Sequence, residues 1–68
     1  MVNKNELSAA RMKAGLTQEE VAKQLGISPN TYGKKEAGHS DFKLTEVLRL
    51  CKILEISASD RDKIFLSA

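Results

Sequence analysis

Two helix starts stand within twelve residues of each other in the stretch TQEEVAKQLGISPNTY, residues 17–32. Thr17 offers a hydroxyl to an orphan backbone N–H, and Glu20 three residues on can reach back to close a capping box. Gln18, Glu19 and Glu20 crowd the first turn, the end of a helix that favours negative charge. Gly26 then stops the helix. Ser28 is a second N-cap, followed by Pro29 at the first helical position, where a missing N–H costs nothing. Only Gly26, Ile27 and Ser28 join the two helices. A connection this short fits the turn of a helix-turn-helix, whose helices cross at a steep angle. A buried Ile27 pins that turn to the core.

The remaining segments read as more helix. Leu7, Ala10, Arg11 and Ala14 recur at three-and-four spacing over residues 7–14. Gly15 fits the left-handed position after that helix, and Asn3 with Glu6 is a capping pair at its start. The third helix runs from Pro29 to about Glu36 and breaks at Gly38, with Tyr32 turned inward. Residues 44–54 form a fourth, with Leu44, Val47, Leu48, Cys51 and Leu54 as its apolar stripe and Asp41 or Thr45 as its N-cap. Ser57 opens a fifth with Asp60 as box partner. From Asp62 onward the tail reads equally as helix or strand. The expected fold is all-α: a compact four- to five-helix domain over residues 1–68, with the helix-turn-helix unit at 17–36. Its expected core is Leu7, Leu16, Val21, Ala22, Leu25 and Ile27, then Phe42, Leu44, Val47, Leu48, Cys51, Leu54 and Ile56.

Composition narrows the function. Eleven Lys and Arg against nine Asp and Glu give a net charge of +2, a weak pointer to an anionic partner; where the charge sits matters more. The single cysteine, Cys51, makes no internal disulfide and lies in the apolar run VLRLCKIL. The lone His39 has no partner at metal-ligand spacing. Neither supports catalysis, so no catalytic residue, metal or cofactor is expected. No apolar run approaches the ~18 residues of a membrane span, and with a lone thiol the chain reads as cytoplasmic.

The stretch LSAARMKAGLTQEEVAKQLGISPNTYGKKEAG, residues 7–38, resembles the lambdoid phage repressor and Cro type of helix-turn-helix domain, the XRE-like family. The matching marks include Arg11, Gly15-Leu16-Thr17-Gln18, Glu20, Ala22, Leu25-Gly26-Ile27-Ser28, Thr31, Glu36 and Gly38. Residues 44–57, LTEVLRLCKILEIS, resemble the family's fourth helix, so the likeness covers roughly residues 7–60. It implies a regulator that binds double-stranded DNA, with the third helix's N-terminal end in a major groove. By the same resemblance the base-edge readers fall on Pro29, Asn30 and Lys34. Asn pairs bidentately with adenine, Lys donates to guanine, and Pro offers an apolar surface. Gln18, assisted by its helix N-terminus, is an expected phosphate contact, and Thr31, Lys35 and Lys43 are further backbone candidates. Lys35 departs from the family, which often has an apolar residue there. Gly33 is unusual inside a helix, where glycine costs ~1 kcal/mol against alanine. Arg11 and Glu36 are expected to form a partly buried structural salt bridge.

The resemblance also implies a homodimer on a pseudo-palindromic operator. The family often has an apolar residue near Arg61; here residues 57–63 are polar. Ile64, Phe65 and Leu66, in a tail spanning 61–68, either fold back on the core or bury against a partner as dimer contacts; the resemblance allows an edge strand joining its twin, as in some Cro proteins. The leading function is a phage- or prophage-type repressor acting by operator occupancy. Two alternatives stand beside it: an antitoxin-like regulator that also holds a partner protein, and a protein-interaction domain that no longer binds DNA.

Overall fold

The computed structural model describes residues 2–66, and the tail positions Ser67 and Ala68 lie outside them. Among the described residues there are five helices and no strand: α1 Lys4–Lys13, α2 Gln18–Leu25, α3 Pro29–Glu36, α4 Leu44–Ile53 and α5 Ala58–Phe65. The starts follow the capping chemistry in the sequence. Asn3 Oδ1 accepts from the Glu6 N–H at 3.2 Å. Thr17 and Glu20 form a reciprocal box, at 3.1 Å and 2.9 Å. Ser28 and Ser57 accept from the N–H groups of Thr31 and Asp60.

The ends share one device. A residue with positive φ follows each of the first four helices: Gly15, Gly26, Gly38 and Glu55. The next N–H then bonds back to a carbonyl five residues earlier, Leu16 to Arg11, Ile27 to Ala22, His39 to Lys34 and Ile56 to Cys51. This is the Schellman arrangement, which satisfies carbonyls left over at the helix end. In the α2–α3 turn Gly26, at φ 77°, reverses the chain, and half-buried Ile27 anchors it against the core.

The centre is built from Leu7, Val21, Ala22, Leu25, Tyr32, Leu50, Leu54 and Ile64. Ala22 lets α2 lie close to its neighbours α3 and α4, while α1 packs on α3 and α5. Three aromatic rings run edge to face from α3 to α5: Tyr32 to Phe42 at 6.1 Å, and Phe42 to Phe65 at 5.6 Å. The segment before α1 is tied to α5, where the Asn3 N–H donates to the Ile64 carbonyl at 2.6 Å.

Three expectations change here. In α4, Leu44 and Leu48 are exposed, at 73% and 49%, and Val47 and Cys51 are half-buried, while Leu50 is fully buried. At 100° per residue Leu50 stands on nearly the opposite side from Leu48. The apolar arc of α4 is wider than the core can cover, and the core takes the Leu50–Leu54 side. Next, the N-cap of α4 is Lys43, which offers no side-chain acceptor, rather than Asp41 or Thr45. Glu46 compensates by accepting from the Lys43 N–H at 2.8 Å. Finally, the tail, which read equally as helix or strand, is helical as far as Phe65. Ile64 is 2% exposed inside its own chain's core, so it is not a dimer contact. Its side chain has no surface left to offer.

Candidate nucleic-acid interface

Helix α3 divides its residues cleanly. Tyr32, Lys35 and Glu36 face inward, whereas Pro29, Asn30, Thr31 and Lys34 are exposed. Tyr32, Lys35 and Glu36 fall at three-and-four spacing on one side, as 3.6 residues per turn requires. Among the described residues no side-chain hydrogen bond or ion pair engages Asn30 or Lys34. The Thr31 hydroxyl accepts from Ser28 Oγ at 2.8 Å, a local bond at the start of the helix.

Glu36 is the centre of the support beneath this face. Arg11 Nε lies 3.0 Å and 3.3 Å from its two carboxylate oxygens. Arg11 Nη1 also donates to the Leu16 carbonyl at 2.9 Å, holding the loop before α2. Gln18 Nε2 donates to Glu36 Oε2 at 2.8 Å. The carboxylate, only 4% exposed at its side chain, therefore joins α1, the start of α2 and the end of α3. Removing Arg11 alone would strand it as an unpaired buried charge, a loss of about 3–5 kcal/mol in comparable pairs. The Gln18–Glu36 bond is not evident from the sequence, where the two positions carry separate roles. Gly33 lies beside this network. A Cβ there would meet Gln18 Oε1 at 3.6 Å, an ordinary contact, so the fold itself does not require glycine.

Lys35 is a correction. It is 8% exposed, and its Nζ lies 2.6 Å from Glu46 Oε1. Its ammonium also stands 6.0 Å from the Phe42 ring centroid. A lysine held this way has no free charge for a phosphate. Burial pushes the Glu46 carboxyl up, but hydrogen bonds and charge from Lys35 and Lys43 outweigh it and hold the group below its ordinary value. Glu46 thus takes both the Lys35 ammonium and the Lys43 N–H, and it positions the loop between α3 and α4. Sequence reading missed it because Lys35 and Glu46 are eleven residues apart and Lys43 is not a recognisable cap. Lys43 itself is exposed at the end of that loop. The Tyr32 hydroxyl is buried without a hydrogen-bond partner among the described residues. Burial, then the Glu36 charge, pushes its ionisation upward.

Elsewhere the chemistry is sparse. Cys51 is half-buried on α4, and burial raises its thiol above the usual range despite nearby Arg61. His39 is exposed in the turn after α3. Among the described residues no group of three or more His, Cys, Asp or Glu could hold a metal, and no helix is long and apolar enough to cross a membrane.

Two capped helices in a tight turn, the second presenting a polar face, define a helix-turn-helix. A helix-turn-helix family model matches residues 7–60, most of the chain, and the protein belongs to this family of XRE-type regulators. The family is one of DNA-binding transcription regulators, generally without enzymatic activity. Comparison with curated proteins gives no match.

Proposed function

We propose that this regulator binds a specific double-stranded DNA operator as a homodimer and represses transcription by occupying it, in the manner of phage and prophage repressors. One observation carries the reading. The outer face of α3 presents Pro29 and Asn30 at its N-terminal end and Lys34 one turn later, all exposed. That end of a helix-turn-helix enters the major groove. Asn30 reads adenine and Lys34 reads guanine, and Pro29 meets a thymine methyl. Gln18 approaches phosphate at the start of α2. Glu36 holds one of its amide hydrogens and leaves the other for the backbone. Lys43 contacts phosphate from the α3–α4 loop, and Thr31 lies close enough to the same strand to assist.

The test is a fluorescence-anisotropy titration against duplexes from the region around the protein's own gene and against a scrambled duplex. Asn30→Ala and Lys34→Ala run beside the wild type. Each substitution is expected to cost about 1–3 kcal/mol on the specific site and far less on the scrambled one. Equal, weak, salt-sensitive binding to every duplex would leave only a basic surface, pointing first to an operator elsewhere and then to a protein partner.

A further inference from the structure

The backbone between α3 and α4 is held by very little. Of the N–H groups of Ser40, Asp41, Phe42 and Lys43, only that of Lys43 has a hydrogen-bond partner among the described residues. The partner is Glu46 Oε1, at 2.8 Å. The same oxygen takes the Lys35 ammonium at 2.6 Å. Lys35 directly follows the exposed Lys34 in α3. One carboxylate oxygen therefore links the helix that carries Lys34 to the exposed lysine at the far end of the loop. Lys43 is also a poor residue for its place. An N-cap favours Ser, Thr, Asp or Asn, and the start of a helix disfavours positive charge. Helix stability does not select a lysine there; an anion outside the protein does.

We propose that Glu46 is a positioning residue for DNA binding: through its bond to the Lys43 N–H it aims the Lys43 ammonium at a phosphate and fixes that contact relative to the base-reading face of α3. The inference deepens the proposed function and rests on its reading of Lys34 and Lys43. The two bonds to Glu46 divide the work. The bond from the Lys43 N–H holds that residue's backbone at φ −73° and ψ 153°, and so sets the direction in which its side chain leaves the loop. Phosphate contacts decide how a protein sits on the duplex, so a loosened Lys43 loses that contact while α3 stays folded. The Lys35 ammonium instead balances the charge of Glu46, which is only 8% exposed. Lys35 thus serves the fold alone, whereas Glu46 serves both the fold and the DNA contact. Because both bonds use Oε1, a glutamine at position 46 keeps the acceptor that Lys43 needs. An alanine keeps none.

The test compares Glu46→Gln with Glu46→Ala in the full chain carrying Lys35→Met, which leaves no buried ammonium stranded and so keeps both variants folded by circular dichroism. Amide hydrogen exchange is read without DNA, and anisotropy titrations at several salt concentrations are run on the preferred and the scrambled duplex. The alanine variant is expected to lose protection at the Lys43 amide. Its slope of log K against log salt is expected to fall by about 0.9, the share of one phosphate, and adding Lys43→Ala to it should change the slope no further. The glutamine variant is expected to keep both the protected amide and the wild-type slope. A merely structural Glu46 would lower the melting temperature and leave the slope alone. The proposal is overturned by an alanine variant with the wild-type slope, by one in which Lys43→Ala still lowers the slope, or by a glutamine variant that behaves like alanine. A wild type whose slope ignores Lys43→Ala also overturns it, together with the phosphate contact at Lys43. Failure to prefer any duplex over the scrambled one removes sequence-specific binding alone, because the slopes can be read on either.

Discussion

Lys35 and Lys43 show how position, not residue type, decides what a lysine does. The first is consumed by Glu46 inside the fold; the second stands free at a loop end. Their substitutions should therefore separate in salt dependence. Lys43→Ala is expected to weaken binding to all duplexes alike and to reduce the slope of log K against log salt by about 0.9. Lys35→Met keeps the volume and removes a charge that Glu46, rather than phosphate, holds; it should lower stability by stranding Glu46, yet its slope should match the wild type's. Anisotropy titrations at several salt concentrations check both, and a reduced slope in folded Lys35→Met would return that residue to the phosphate contacts. The exposed trio on α3 was legible in the sequence because helical period and cap fix which side faces out. The fate of Lys35 was not, because its partner lies on another helix. Likewise Glu36 could be paired with Arg11 by resemblance, yet its bond to Gln18 depends on how α2 meets α3.

At the scale of the helices, starts and stops were easier to read than faces. Ser, Thr, Pro and Gly act through local backbone chemistry, so α2, α3 and their turn stand where the sequence put them. The face of α4 was misjudged because six of its ten residues are apolar, and only the neighbouring helices choose among them. Two predictions belong here. Glu55 adopts φ 53° where the ends of α1, α2 and α3 use glycine. Such a conformation costs a side-chain-bearing residue about 1 kcal/mol or more. Glu55→Gly is expected to relieve part of this, net of glycine's greater chain entropy, and to raise stability by about 0.5 kcal/mol in thermal melts. A lower melting temperature would contradict the strain. The second concerns the Glu46 junction between α3 and α4. Its folded pKa lies below its unfolded value, so its contribution is complete above the unfolded value and is lost as pH falls through the folded one. Wild type should exceed Glu46→Gln in urea stability at neutral pH, and the gap should close on acidification below the usual carboxylate range. A gap that does not change with pH would rule out that linkage.

For the molecule as a whole, a homodimer of the proposed kind would act as a fixed ruler. The aromatic chain Tyr32–Phe42–Phe65 runs from α3 to α5 through packed rings, so in the proposed homodimer the separation of the two α3 helices would be set by the fold. Inserting about five base pairs between half-sites turns them to opposite faces of the duplex, and affinity is expected to fall to that of one half-site. Gel-shift titration on the spaced series checks this; tolerance of the insertion would mean the two copies bind independently. The tie between the segment before α1 and the end of α5 has a practical side. The Asn3 N–H donates to the Ile64 carbonyl, so the two segments hold or loosen together. Asn3→Pro removes that N–H and should speed amide exchange in α5 as well as at the start of α1.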